Sequence, residues 1–229
     1  MCEQQYHGVV RCALGWACWK TYLGRPEADL ARRNALTVLG NGLQEGNHQE
    51  DALAVKEAEL AVERRVGASE ADILTVQTNL ANSYSLLGRD EEALPMRRDV
   101  YSGCLKLNGE EHNSSILAAN NYAVMLKDLR HFEEAKSLLQ KTMPVARRVL
   151  GEGHDLTLRM RWIYAEALYK DSGATLDDLH EAVTTLEETT RIARRVFGGV
   201  HPLATGIERS LLLARSLLRA RDTPPSGGA

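Results

Sequence analysis

HNSSILAANNYAVMLKDLRHFEEAKSLLQKTMPVARRVLGEG, the stretch of residues 112–153, decides the fold. Its first half carries an apolar stripe at helical spacing, formed by Ala118, Tyr122, Leu126 and Leu129. After a break at Arg130-His131 a second stripe follows, formed by Ala135, Leu138, Leu139, Ala146 and Val149. The stretch ends at Gly151 and Gly153, where glycine can adopt the left-handed geometry that closes a helix. It therefore predicts a helix, a tight turn, a longer helix and a loop, and two helices alone cannot bury both stripes.

The same pattern recurs on both sides of this stretch. A shift of 42 residues toward the N-terminus aligns Asn121 with Asn79 and Ala123 with Ala81. The same shift toward the C-terminus aligns Ala123 with Ala165, and about five inserted residues around 170–176 then lengthen the offset to 47. Self-similarity at a fixed period of about 20–50 residues is the signature of stacked repeats. The sequence therefore predicts an array of helix pairs, each with a first and a second helix.

The boundaries of the array follow from the repeat. Four units are predicted at about residues 28–69, 70–111, 112–153 and 154–200. Residues 1–27 correspond to the second helix of an incomplete unit, and a helix at 202–221 would cap the array, so that repeats and cap occupy 28–222. The last residues, 223–229 (TPPSGGA), are expected to be disordered.

The half unit at the N-terminus leaves Trp16 and Trp19 without an obvious partner helix. Either this end packs irregularly, or the chain is a piece of a longer array. An exposed apolar end would favour self-association.

Composition narrows the class of partner. The chain of 229 residues is 44% hydrophobic and carries a net charge of −3, so it has no basic field to attract nucleic acid or an anionic membrane. It has no run of 18 apolar residues that could span a bilayer. Its four cysteines form no C-x-x-C pair, which is typical of a reduced, cytoplasmic protein.

Small and large residues at fixed positions of the unit resemble the tetratricopeptide pattern. Leu80-Ala81 and Tyr122-Ala123 put a small residue after a large one, and Ala135 places another small residue twelve positions after Ala123. The unit is longer than the usual 34 residues. With its LG-x-x-H loop and the string EEALP at 91–95, it closely resembles the repeats of kinesin light chains and related long-unit tetratricopeptide proteins. The resemblance implies an all-α fold, an α-solenoid in which helix-turn-helix repeats wind into a right-handed superhelix.

The same resemblance implies a function and a site. In that family the first helices line a concave groove that holds an extended peptide of a partner protein, so a cytoplasmic cargo or adaptor scaffold is expected. Helical phase maps this groove onto the positions flanking Ala81 and its equivalents. The residues expected to bind peptide are Asn41, Thr78, Asn79, Asn82, Ser85, Asn120, Asn121, Lys127, Arg159 and Trp162. Asparagine suits this role because its amide offers a donor and an acceptor, as a peptide bond requires. Ile163 replaces the asparagine expected in the fourth unit, which predicts an apolar contact there.

Motifs for catalysis or metal binding are not found in the sequence. His112, His154 and His201 recur at one position of the unit, but stacked units hold them about 10 Å apart, too far to share an ion with bonds near 2 Å. We therefore interpret them as loop residues, and expect Asn113-Ser114-Ser115 to provide the N-cap of the next helix. No nucleophile has a base at a supporting spacing. We expect no enzyme activity, cofactor or metal.

Two alternatives to the peptide-binding scaffold remain open. The first is a regulatory array from a larger signalling protein with a nucleotide-switch domain, which a P-loop upstream would indicate. The second, more remote, is an RNA-binding helical repeat, although such repeats usually have a basic groove.

Overall fold

The computed structural model describes residues 2–222, with side chains from His7 onward. The expected disorder of 223–229 lies outside the described residues. Within them the chain forms ten α-helices and no strand, and the predicted all-α repeat array is confirmed. The division into units at 28–69, 70–111, 112–153 and 154–200 stays a prediction.

The chain divides into two compact parts, with the boundary between Leu107 and Asn108. The N-terminal part contains α1 (Cys2–Tyr22), α2 (Leu30–Glu45), α3 (Gln49–Arg65), α4 (Glu70–Leu86) and α5 (Asp90–Asn108). In it α1 packs on α2, α2 on α3 and α3 on α4. The side chain of Leu74 on α4 lies against the backbone of Gly103 on α5.

The C-terminal part contains α6 (Asn113–Asp128), α7 (Phe132–Leu150), α8 (Asp155–Lys170), α9 (Leu176–Phe197) and α10 (Pro202–Asp222). Each helix packs on the next along the chain, and α8 also packs on α6 and on α10. The first helices α6, α8 and α10 therefore lie side by side as one layer. Small residues permit the close contacts beneath this layer, since Ala123, Ala135 and Ala165 are all fully buried.

The ends of the second helices are set by glycine. Gly151 follows α7 with φ +94°, and Gly198 follows α9 with φ +86°. Only glycine adopts such backbone angles without steric cost, so the predicted closure of the stretch at Gly151 is confirmed.

The starts of α6, α8 and α10 are set by histidine, and the expected N-cap from Asn113-Ser114-Ser115 is wrong. His112 is the N-cap of α6, and its Nδ1 accepts a hydrogen bond of 3.2 Å from the backbone N–H of Ser114. His154 accepts in the same way from Leu156, and His201 from Leu203, each at 3.2 Å. The ring nitrogen thus takes the place of the aspartate or asparagine oxygen that usually caps a helix. The recurring histidines are capping residues.

Helix α1 packs on α2 through glycine, at a distance that side chains would not allow. A Cβ placed on Gly42 would lie 2.5 Å from the backbone oxygen of Arg11, and one on Gly8 would lie 2.2 Å from that of Glu45. Trp19 packs beside Leu39 and Leu43. Trp19 therefore has a partner helix, whereas Trp16 remains 44% exposed.

Helix α3 carries charge on its buried face. Lys56, Glu59 and Glu63 are each at most 4% exposed. The ammonium of Lys56 donates to Gln44 on α2 and to Ser83 on α4, while Glu59 and Glu63 accept from Thr37 and Arg33 on α2. Burial lowers the pKa of Lys56 and raises the pKa of Glu59, because it disfavours the charged form of each group. These contacts join α2, α3 and α4 by polar rather than apolar packing.

Candidate functional site

The residues predicted to bind peptide in the N-terminal part lie on α2 and α4. Asn41 and Asn79 are half-buried. The hydroxyl of Thr78 donates to the backbone oxygen of Leu74 at 2.8 Å, and that of Ser85 to Ala81 at 3.1 Å. Hydroxyls used within their own helix have less to offer a ligand.

Asn82 is exposed, and its Oδ1 accepts a hydrogen bond from Nη2 of Arg97 on α5. Arg97 is 7% exposed, and its Nε and Nη1 have no hydrogen-bond partner. Burial lowers the pKa of Arg97. The amide oxygen of Asn82 is therefore committed within the fold, and its amide nitrogen is the group left for a ligand.

Three predicted residues of the C-terminal part lie together. Asn120 and Asn121 on α6 and Arg159 on α8 line one open depression with a volume of about 490 Å³. Its other lining residues are Asn113, Leu117, Leu150, His154, Asp155 and Leu156. The depression is therefore formed by α6, the end of α7, the loop that leads into α8 and the first turns of α8.

Asn120 has an unusual environment within this depression. It is only 6% exposed, and its Nδ2 lies 3.4 Å from Oδ1 of Asn121. Its Oδ1 is buried and has no hydrogen-bond partner. A buried acceptor without a partner costs about 1–3 kcal/mol, and the great majority of such groups are paired in folded proteins.

Lys127, also predicted, lies one helical turn or more beyond the depression. Its ammonium is 2.8 Å from Oδ1 of Asp128 and 3.2 Å from Oε2 of Glu166 on α8. Burial alone would lower the pKa of Lys127, but the two carboxylates outweigh it and raise the pKa. Burial would likewise raise the pKa of Glu166, but Lys170 and Lys127 outweigh it and lower the pKa. Both groups are therefore held in their charged forms.

Trp162, the last predicted residue, joins α8 to α10. Its indole N–H donates to Oγ of Ser210 at 2.8 Å. Its ring lies against Gly206, where an added Cβ would be 2.6 Å from Cη2. The hydroxyl of Tyr169 on α8 is buried, which raises its pKa to about 12. The indole and this phenol hold the first-helix layer together.

Sequence reasoning misplaced one residue of this face and missed others. Ile163, expected to offer an apolar contact, is 6% exposed and belongs to the core. Leu117 supplies that kind of surface instead, since it is 49% exposed and lines the depression. Leu117 and Asn113 lie one and two turns before Asn121 on the same face of α6, so extending the phase argument toward the N-terminus would have found them.

A larger depression, of about 990 Å³, lies elsewhere in the C-terminal part and shares no residue with the first. It is lined by α7, α8 and α9, and its residues include Met143, Pro144, Arg147, Arg161, Tyr164 and Glu188. Two of its arginines are paired: Arg161 lies 2.6 Å from Glu188, and Arg147 lies 2.9 Å from Glu152. Burial raises the pKa of Tyr164 to about 12, and its hydroxyl donates to Glu181. No predicted residue lies in this depression.

One contact has the geometry of a serine–lysine dyad. The ammonium of Lys56 donates to Oγ of Ser83 at 3.0 Å. However, Ser83 is 1% exposed and Lys56 is 2% exposed, so a substrate cannot reach either atom. The contact is structural.

Metal-ligating and membrane-spanning features were also searched for in residues 2–222. In that range no three histidine, cysteine, aspartate or glutamate side chains converge as a metal site. None of the helices described there is long and apolar enough to cross a membrane.

Known proteins resemble the chain in sequence over part of its length. The clustered mitochondria protein homologue of Emericella nidulans is 25% identical over 129 residues, and that of Coccidioides immitis is 26% identical over 129 residues. These alignments cover 56% of this chain but only 10% of either relative. The chain thus corresponds to about a tenth of the length of these proteins.

Solved structures resemble it over most of its length. A Podospora anserina putative kinesin light chain with nearly identical repeats superposes with a TM-score of 0.70 at 22% identity, covering 83% of this chain and 88% of the other. BtubC (BKLC) from P. vanneervenii superposes with a TM-score of 0.65 at 15% identity, covering 99% of this chain and 94% of the other. A Rap protein complexed with competence and sporulation factor superposes with a TM-score of 0.60 at 15% identity, covering 95% of this chain and 62% of the other. At these identities the likeness concerns the fold.

A family model supplies the remaining comparison. The tetratricopeptide repeat model matches residues 72–146, which include the deciding stretch up to Ala146. This match, the pairwise packing of the helices and the kinesin light chain-like neighbours agree with one another. Residues 72–146 thus match tetratricopeptide repeats, and the chain shares the fold of kinesin light chain-like repeat proteins.

Proposed function

We propose that the protein is a non-catalytic scaffold that binds extended peptide segments of partner proteins on its first helices, as a cytoplasmic adaptor of the kinesin light chain type. Tetratricopeptide repeats generally bind proteins or peptides, and a structural neighbour, the Rap protein, was solved in complex with competence and sporulation factor. The observation that carries the proposal is the depression on α6 and α8, which brings Asn120, Asn121 and Arg159 to one place.

The chemistry of this depression suits a main chain. The amides of Asn113 and Asn121 offer both donors and acceptors, as an extended segment requires. Nδ1 of His154 accepts from Leu156, so the proton of the neutral ring lies on Nε2, which is a further donor. Each hydrogen bond of this kind contributes about 1 kcal/mol, so affinities in the micromolar range are expected.

A pair of asparagines tests the proposal. The double variant Asn79→Ala with Asn121→Ala removes one amide from each part of the chain, and should abolish capture of partners while leaving helical content unchanged by circular dichroism. The control, Asn108→Ala with Thr184→Ala, removes exposed polar side chains from the second helices α5 and α9. If the asparagine variant captures the same partners at equal strength, the groove assignment is wrong.

An exposed apolar face on α1 favours a second function, self-association. Val9 and Trp16 lie on one face of α1 and are 66% and 44% exposed, and Val10 and Leu14, 41% and 59% exposed, lie on the adjoining face. Both faces point away from the glycines that contact α2. We also propose that this face pairs with the same face of a second copy, since isologous pairing is the commonest arrangement in homo-oligomers.

Sedimentation velocity across protein concentrations tests this second proposal. The wild-type chain should show a mean mass that rises with concentration, and Val10→Glu with Leu14→Glu should remain monomeric. Leu212→Glu on α10, at a residue that is 62% exposed, is the control and should behave as wild type. A wild-type chain that is monomeric at every concentration would contradict pairing through α1.

A further inference from the structure

The charges around the depression on α6 and α8 point to the chemistry of its ligand. We infer that this site selects an uncharged segment with a large aliphatic side chain, and discriminates against an acidic one. The inference rests on the proposed function, because it concerns what the peptide-binding site accepts.

The cations near the site are all paired within the fold. Nε of Arg159 lies 2.7 Å from Oδ2 of Asp155, its neighbour on the first turns of α8. Further along the same face, Lys127 contacts Asp128 and Glu166, and Lys170 contacts Glu166 at 2.6 Å. Three cations therefore face three carboxylates, and the local field does not favour an incoming anion.

A ligand carboxylate could not take over these cations without a penalty. The side chains of Lys127 and Glu166 are only 15% and 11% exposed. If a ligand drew Lys127 away, Glu166 would lose one of its two ammonium partners while still buried, and a buried charge without its partners is strongly destabilising. At Arg159, the ligand would compete with an aspartate already in contact and would itself be repelled by that aspartate.

Leucine side chains form an apolar surface within the depression. Leu117 is 49% exposed, and Leu150 and Leu156 are half-buried beside it. At about 490 Å³ the depression has room for one large side chain and its flanking main chain. Covering exposed leucine surface is favourable in proportion to the apolar area removed from water.

The polar part of the site matches a main chain rather than a charged head group. The exposed amide of Asn113 and the half-buried amide of Asn121 each offer a donor and an acceptor to a peptide bond. Nε2 of His154 can donate to a peptide carbonyl. The site thus offers hydrogen bonds for the backbone and apolar surface for the side chain.

Nonapeptide libraries test the inference directly. Each library has randomised uncharged flanks and one fixed central residue: leucine, methionine, aspartate, glutamate or lysine. Binding to the full chain is measured by fluorescence polarisation. Leucine and methionine libraries should bind about tenfold or more tightly than aspartate and glutamate libraries, a ratio typical of one well-buried aliphatic side chain.

Three variants locate the preference. Leu117→Ser should weaken binding of the leucine library about tenfold, whereas Leu212→Ser, an exposed leucine on α10, should leave it unchanged. Asp155→Asn frees Arg159 and should strengthen binding of the aspartate library by about threefold or more. Each variant is first shown to keep the wild-type circular dichroism spectrum.

The outcomes separate the inference from the proposed function. If acidic libraries bind wild type more tightly than aliphatic ones, the inference is overturned while peptide binding stands. If Leu117→Ser binds as wild type, or Leu212→Ser loses binding equally, the aliphatic site is not at this depression. If no library binds, both the inference and the proposed function fail.

Discussion

Lys127 on α6 and Glu166 on α8 form an ion pair between two neighbouring first helices, with 3.2 Å between Nζ and Oε2. Glu166 also accepts from Lys170 on its own helix, at 2.6 Å, and lies 3.4 Å from the hydroxyl of Ser210 on α10. One carboxylate thus connects three first helices. It fixes their spacing and, at the same time, neutralises the cations that an acidic ligand would seek.

Replacing this carboxylate should destabilise the fold in a pH-dependent way. Glu166→Gln should lower the free energy of unfolding at pH 7 by about 1–3 kcal/mol, because two ammonium groups lose their partner. The pKa of Glu166 is lowered from 4.5 in the folded state, since Lys170 and Lys127 outweigh burial. A lowered folded pKa contributes stability that is present above pH 4.5 and is lost as pH falls through the folded value.

Urea unfolding at a series of pH values checks this prediction. The difference between wild type and Glu166→Gln should be full at pH 7 and should shrink below about pH 4.5. Glu91→Gln, at an exposed residue of α5, is the control and should differ from wild type by less than about 0.5 kcal/mol. An equal difference at all pH values would mean that the ion pairs are not its cause.

The close approach of α1 and α2 predicts that alanine in place of Gly42 destabilises the fold, whereas helix propensity alone predicts that it stabilises the fold. Alanine is favoured over glycine inside a helix by about 0.5–1 kcal/mol. Gly42→Ala should nevertheless lower the free energy of unfolding by about 1–3 kcal/mol, because its Cβ would lie 2.5 Å from the backbone oxygen of Arg11. The measurement is urea unfolding, in which the midpoint and the slope of free energy against urea concentration together give the free energy of unfolding.

Gly24→Ala is the matched control for this glycine contact. An added Cβ there meets no atom within 4 Å, so stability should change by less than about 0.5 kcal/mol. If Gly42→Ala is as stable as wild type or more stable, α1 does not lie against α2 as described.

Capping by histidine should be replaceable by another capping residue. His154→Ala should cost about 1 kcal/mol of stability, because the N–H of Leu156 loses its acceptor at the start of α8. His154→Asn should restore most of it, since asparagine is a preferred N-cap. The midpoint of thermal unfolding distinguishes the two, and equal losses for alanine and asparagine would show that the ring packs rather than caps.

Periodicity predicted the helices, because a stripe at a spacing of three or four residues has one physical interpretation. The burial of charged side chains on α3 was harder to predict. Lys56, Glu59 and Glu63 fall on the same helical face as the buried Ala52, so phase places them inside, but composition favours leaving charges outside. Only the partners Gln44, Ser83, Thr37 and Arg33, which come from other helices, make their burial possible.

The candidate site was predictable in part for similar reasons. Asparagines at recurring positions predict a binding face on α6, which stays a prediction, and Asn120 and Asn121 line a depression there. The ion pair between Lys127 and Glu166 could not be predicted, because these side chains come together only when α6 packs on α8. The burial of Ile163 also depends on this packing, since neighbouring residues of one helix differ in exposure according to what covers them.

The most direct test of the central claim is a methyl NMR titration of the full chain with the tightest leucine-centred nonapeptide from the libraries. The account predicts that the methyl signals of Leu117, Leu150 and Leu156 shift together, while those of Met143 and Ile192 in the other depression stay in place. Shifts confined to Met143 and Ile192, with the three leucines unchanged, would contradict it.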